Sequence, residues 1–278
     1  MKKIVKIISL GDLITPDFNK VILAFAQLIN QKSPQLNQSV ILDAISNTIP
    51  KTKSNLDKFN LGEITEKEFT EKMLVALQKE TNVLLTFEEF DSAWSAMYSE
   101  FATYRTFLEE ASYYNKQTQH QLIFISYTNP KDIRNITNQL SMHNIPHQFE
   151  NNILSEIDGM PIYMSYVAKQ NKTKLLASTI QAVNNSFQAK NFFSRFFQLI
   201  SSKKQVDITY ICCENAITNP LLKASLDQQN FELGQTLKNL SIDTYIWNKA
   251  DESLFDVLND PQVSLNPELS TSTTMLCN

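Results

Sequence analysis

Ser9, Gly11 and Asp12 stand together where the apolar run of residues 4–15, IVKIISLGDLIT, breaks off into polar chain. Apolar residues interrupted only by Lys6 predict a buried central strand whose C-terminal end opens into a loop. In an open α/β sheet that end is where ligands bind. The chain has four glycines, so Gly11 at this spot predicts either a backbone with positive φ or the close approach of a ligand. A serine there acts as a nucleophile only with a base in hydrogen-bond reach, and His120, His143 and His147 fall in other stretches. Cys212 and Cys213 end a second apolar run, VDITYICC, and read as small buried hydrophobes. They lack the paired spacing of a thiolate zinc site. Lys172 is one of three lysines in KQNKTK, which reads as a solvated loop or as one cation in a pocket.

Helical periodicity follows the first strand. Val21, Ile22, Phe25, Leu28 and Ile29 make one stripe over 18–29, and 40–49 predicts a second short helix before a polar loop at 51–60. Thr65 and Glu68, then Thr86 and Glu89, are two capping boxes. The first starts a helix carrying Phe69, Met73, Leu74 and Leu77, the second a single longer helix from Phe90 to Leu108. Strands are predicted at 121–126, 161–165, 206–213 and 241–247, with Pro130 as the first residue of a helix running to 142. Asp158-Gly159 is a hairpin turn or a loop before one strand, and further helices are expected at 173–185, 221–240 and 251–258. Alternating strands and helices imply an α/β fold with a parallel, Rossmann-like sheet.

A strand ending in a small-residue loop, a helical insertion, and strands ending at Ser126, near Lys172 and at Cys212-Cys213 resemble the haloacid dehalogenase-like (HAD) superfamily. FNLGEITEKEF and FDSAWSAM, between Phe59 and Met97, resemble its helical-cap subgroup. The resemblance implies a core of 1–15 and 117–263, a helical cap of 16–116 inserted after strand one, and a polar tail of 264–278. The subgroup's first motif, hydrophobic-Asp-Leu-Gly-Gly-Val-Leu, stands here as Ile8-Ser9-Leu10-Gly11-Asp12-Leu13-Ile14, so Ser9 occupies the place of the nucleophilic aspartate. Ser126 matches the hydroxyl residue that holds the transferring group. Lys172 falls on the charge-neutralising lysine, followed by Thr173 where the family has proline. The magnesium-binding carboxylates are replaced by Cys212 and Cys213, with Glu214 nearby and Asp12 three positions beyond Ser9.

The anion-binding half of the machinery is retained and the nucleophile and metal ligands are lost. The expectation is therefore a catalytically degenerate protein without a cofactor, which binds a protein partner or an anionic small molecule. The alternative is a working magnesium-dependent phosphoric ester hydrolase using Asp12 or Glu214. A third reading rests on NFFSRFFQLISSKK, where Phe192, Phe193, Phe196 and Phe197 gather on one helical face beside Arg195. That face would cover its own sheet, dock a partner or lie on a membrane surface, as in a secreted bacterial effector. A net charge of −4 with pI near 5.5 gives no global electrostatic case for nucleic acid. Three cysteines in no even framework and no secretory cleavage pattern predict a cytoplasmic chain, with signal-peptide-independent export as the alternative.

Overall fold

The structure is a computed structural model, and it describes residues 3–14, 18–99, 101–117, 120–189, 206–213, 235–240, 242–247 and 253–259. Seven strands form one sheet in the order β3-β4-β5-β2-β1-β6-β7. β1 (Lys3–Ser9), β2 (His120–Ser126), β5 (Met160–Met164), β6 (Val206–Cys213) and β7 (Asp243–Trp247) run parallel, while β3 (His147–Glu150) and β4 (Ile153–Ile157) extend one edge antiparallel. Strand order therefore reverses at β1, with β2 on one side and β6 on the other, which opens a crevice at their carboxyl ends.

The pleat of β1 and β2 sorts the core into two clusters, because alternate residues face opposite sides. Val5, Ile7, Ile123 and Ile125 meet Leu175, Leu176, Ile180 and Val183 of one long helix on one face. Ile8, Leu122 and Phe124 join the other cluster, which is continuous with the helices between β1 and β2. Lys6 lies on that second side, buried, and its ammonium donates to the carbonyls of Val257 at 3.1 Å and Leu258 at 2.5 Å.

After the single helical turn α1 (Leu10–Leu13), the helices before β2 are α2 (Phe18–Lys32), α3 (Gln38–Asn60), α4 (Glu66–Thr81), α5 (Phe87–Ser95) and α6 (Phe101–Asn115). Their inward faces make an aromatic stack: Phe59 on Phe69 at 4.8 Å, Phe69 against Trp94 at 5.4 Å, and Phe90 on Trp94 at 5.5 Å. Both capping boxes form, Thr65 with Glu68 and Thr86 with Glu89. Two expectations are corrected. Residues 51–60 are the second half of α3 and not a loop, because Thr48, Thr52 and Phe59 continue a buried stripe through the lysines. The helix expected from Phe90 to Leu108 breaks after Ser95 into a 3-10 turn (Ala96–Tyr98) that buries Met97 and Tyr98 before α6 begins.

Beyond β2 come α7 (Pro130–Met142), a short helix α8 (Ser165–Ala168), α9 (Lys172–Ala189) and α10 (Leu254–Asn259). Asp158 (φ 44°) and Gly159 (φ 82°) form the two-residue hairpin turn between β4 and β5. The stretches 191–200 and 264–278 lie outside the described residues, as does most of 221–240.

Candidate functional site at the strand ends

Ser9 is the last residue of β1 and the N-cap of α1, 7% exposed, and its side chain makes no capping bond. It pairs in register with Ile125, so Ser126, also buried, is its diagonal neighbour on the adjacent strand. The pleat assigns Ser9 to the face of Val5 and Ile7, where α9 packs, and Ser126 to the face of Phe124 and the helical block. Lys172 is the first residue of α9, half-buried, on the same face as Ser9. Two hydroxyls thus stand at the carboxyl ends of adjacent strands, and Lys172 opens the helix that packs on the Ser9 face. Gly11 corrects the expectation of positive φ: it lies in α1, exposed, and an added Cβ would meet only the Ser9 Oγ, at 3.7 Å. The sharp backbone conformation belongs instead to Gly62 and Gly159.

The loop that follows Ser126 is the part of the site that sequence reasoning missed. Tyr127, half-buried, faces the Asp57 carboxylate of α3; burial pushes its phenol well above the ordinary value, and Asp57 and Glu63 add to the effect. The Ser165 hydroxyl donates its one proton to the Asn60 carbonyl at 2.7 Å, with the Thr128 carbonyl 3.0 Å away as the alternative acceptor, and accepts from the Thr128 N–H. Asn129, fully buried, caps α7 by accepting from the Asp132 N–H, and its amide donates to Asn60 Oδ1 at 2.9 Å and to Asp132 Oδ2 at 2.7 Å. Trp94 donates its indole N–H to Asp132 Oδ1 at 2.8 Å. Lys131 is buried over the Phe90 ring and pairs with Asp91 and Glu66. One Arg134 nitrogen lies 2.6 Å from both Glu66 oxygens. Every one of these groups has a partner across the boundary between the helical block and the sheet, which is why they tolerate burial. The signal in the sequence was Asn129-Pro130-Lys131-Asp132, a capped helix start carrying two charges where an apolar face was due.

Among the described residues, the strand ends offer magnesium no carboxylate ligand. Hard oxygen ligands with negative charge are needed, and position 9 supplies a neutral hydroxyl while positions 212 and 213, which close β6, are thiol residues. Among the described residues no group of three His, Cys, Asp or Glu side chains could hold a metal. Asp12 lies in α1 with its side chain outside the described set, and Glu214 is outside it altogether. Phe192, Phe193, Arg195, Phe196 and Phe197 also lie outside it. No described helix is long and apolar enough to cross a membrane.

No protein-family profile matches the chain, and no curated protein does. Solved structures do. A HAD family enzyme of Bacteroides thetaiotaomicron, BT-2542, aligns over 93% of this chain and 99% of its own, at 14% identity and a TM-score of 0.51. The wild-type form of that enzyme in complex with magnesium and inorganic phosphate aligns over 92% and 99%, at 17% identity and a TM-score of 0.45. A HAD-like hydrolase of Porphyromonas gingivalis aligns over 94% and 99%, at 13% identity and a TM-score of 0.45. With its reversal of strand order at β1, the helices threaded between β1 and β2, and this likeness over nearly its whole length, the chain has the fold of the haloacid dehalogenase-like enzymes.

Proposed function

We propose that this protein is a hydrolase-type scaffold that binds an anionic ligand, or an anionic group on a protein partner, without carrying out phosphoryl transfer. The observation that carries the reading is Ser9, a buried hydroxyl at the end of the central strand, where the superfamily's chemistry requires an ionised carboxylate. A covalent acyl-phosphate cannot form on a serine. A serine ester would need a base to accept the hydroxyl proton. His120 opens β2 at the opposite end of the sheet, opposite Ile4 and about 17 Å from Ser9 by strand rise. Binding asks less of the site: Ser9 and Ser126 stand at the open ends of adjacent strands, where hydroxyls on either face of the sheet reach an oxyanion seated over the strand ends, and Lys172 supplies charge from the start of α9. The helices between β1 and β2 serve as the cap over that site, with Tyr127 and Asp57 meeting across the boundary.

The test is hydrolysis of p-nitrophenyl phosphate by purified protein, with and without magnesium, beside Lys172→Ala. Calorimetric titration with inorganic phosphate runs in parallel. The expected result is no magnesium-dependent turnover above the variant, together with phosphate binding that Lys172→Ala weakens at least tenfold, or about 1.4 kcal/mol. Magnesium-dependent turnover lost in the variant would establish a working hydrolase and direct attention to Asp12 and Glu214 as the missing carboxylates.

A further inference from the structure

We propose that the first turn of α7 is a proton-tightened latch, which holds the helical block against the sheet more firmly in mild acid than at neutral pH. The inference is independent of what the strand-end site binds. Its basis is the geometry around Asp132, a half-buried carboxylate where α7 meets the helical block. Trp94 of α5 and Asn129 each donate to one of its oxygens, and Asn129 reaches on to Asn60 at the end of α3. The charged and titratable groups facing it are Lys131 and Arg134 from its own helix, Glu66 from α4, Asp91 from α5 and Tyr98 from the 3-10 turn. Moving the block away from α7 would break the bond that Trp94 donates to Asp132 and the bond that Asn60 accepts from Asn129, together with the Glu66 and Asp91 ion pairs, and expose Asp132 further to water.

The direction follows from what the carboxylate gains or loses on opening. Burial pushes the closed-state pKa of Asp132 up to about 6, against the hydrogen bonds from Trp94 and Asn129, and an opened block returns it towards 3.8. The closed state therefore holds the proton more tightly. Its advantage is complete below the open-state value, shrinks as pH rises to about 6, and is constant above that. Between pH 5.0 and 7.5 the opening equilibrium should rise about tenfold. Glu66 does not cancel the effect: burial raises its pKa, but Arg134 and Lys131 outweigh that and hold it below the usual carboxylate range, so it stays ionised throughout this window. Tyr98 is pushed far above it by burial and by Asp132, and stays neutral.

The experiment is hydrogen exchange of the Trp94 indole N–H at pH 5.0 and 7.5, corrected for intrinsic exchange, in the wild-type chain and in Asp132→Asn. Corrected exchange about tenfold faster at pH 7.5 in wild type and equal at the two pH values in the variant is the result expected. A flat wild-type response, an equal slope in Asp132→Asn, or indole protection as high as that of the Ile8 amide in the central strand would each overturn the latch. Trp94→Phe gives an independent check, read at the Asn129 side-chain amide that donates across the boundary to Asn60. Loss of the indole donor raises the closed-state pKa of Asp132, so the pH response there must exceed that of wild type. A response equal to or smaller than wild type refutes the proposal.

Discussion

Replacing Gly62 by alanine tests how closely the helical block is seated on the sheet. Gly62 follows α3 with φ at +66°, and a Cβ there would stand 2.8 Å from the backbone carbonyl oxygen of Tyr166 in α8. A left-handed alanine costs about 1 kcal/mol on conformation alone. The contact cannot be relieved by a rotamer change, because the opposing atom is main chain. The turn must lift by some tenths of an ångström, and this strains the 2.7 Å bond from Ser165 to the Asn60 carbonyl, worth roughly another 1 kcal/mol. A loss of about 2–3 kcal/mol is expected, or a urea midpoint lower by about 1 M at a slope near 3 kcal/mol/M. Two other glycines calibrate the series. Gly159→Ala has the strain, at φ +82°, but an open surround with Asn115 Nδ2 at 3.7 Å, so it should lose only about 1 kcal/mol. Gly11→Ala sits in a helical turn with room for a methyl, and should gain a few tenths of a kcal/mol. Gly62→Ala within 0.5 kcal/mol of wild type, or less damaging than Gly159→Ala, would refute the seating argument.

Two further predictions address the packing. Phe69→Ala empties the centre of the aromatic stack and should cost about 3–5 kcal/mol in urea denaturation; a loss under 1 kcal/mol would mean that Phe59, Phe90 and Trp94 close over the gap. Lys6→Met removes the donor to the last carbonyls of α10 and should cost about 1–3 kcal/mol, with amide exchange in α10 accelerated beyond that in β2; equal acceleration in both would show that Lys6 does not tether this helix.

What could be read from the chain depended on whether neighbouring residues carried the information. The two threonine-glutamate capping boxes, the proline opening α7 and the apolar runs of β1, β2 and β6 are local signals, and each appears where its residues stand. The second half of α3 is not legible in the sequence, because its outward lysines and asparagines resemble a loop. Phe59, buried near its end, is explained by Phe69 on another helix. Lys6 looked like an interruption of a buried strand, and its partners lie some 250 positions away. The strand-end serines and Lys172 were found through resemblance to a motif. The hydrogen-bonded chain of Asn60, Asn129, Asp132 and Trp94 is not legible in this way, because its members come from three separate helices and none is unusual alone.

The position of β1 also governs how the chain can be made. It is made before the other described strands and is the middle one of the five parallel strands, yet β2, its earliest partner, begins more than a hundred residues later, and β6 later still. At about 5–20 residues per second of synthesis, an apolar segment waits several seconds or more with both edges unpaired. The helices that emerge in the interval can form from local contacts first, and they then offer Ile8 and Leu10 an apolar surface before any ladder exists. The insertion that separates the central strand from its neighbours thereby acts as its escort during synthesis.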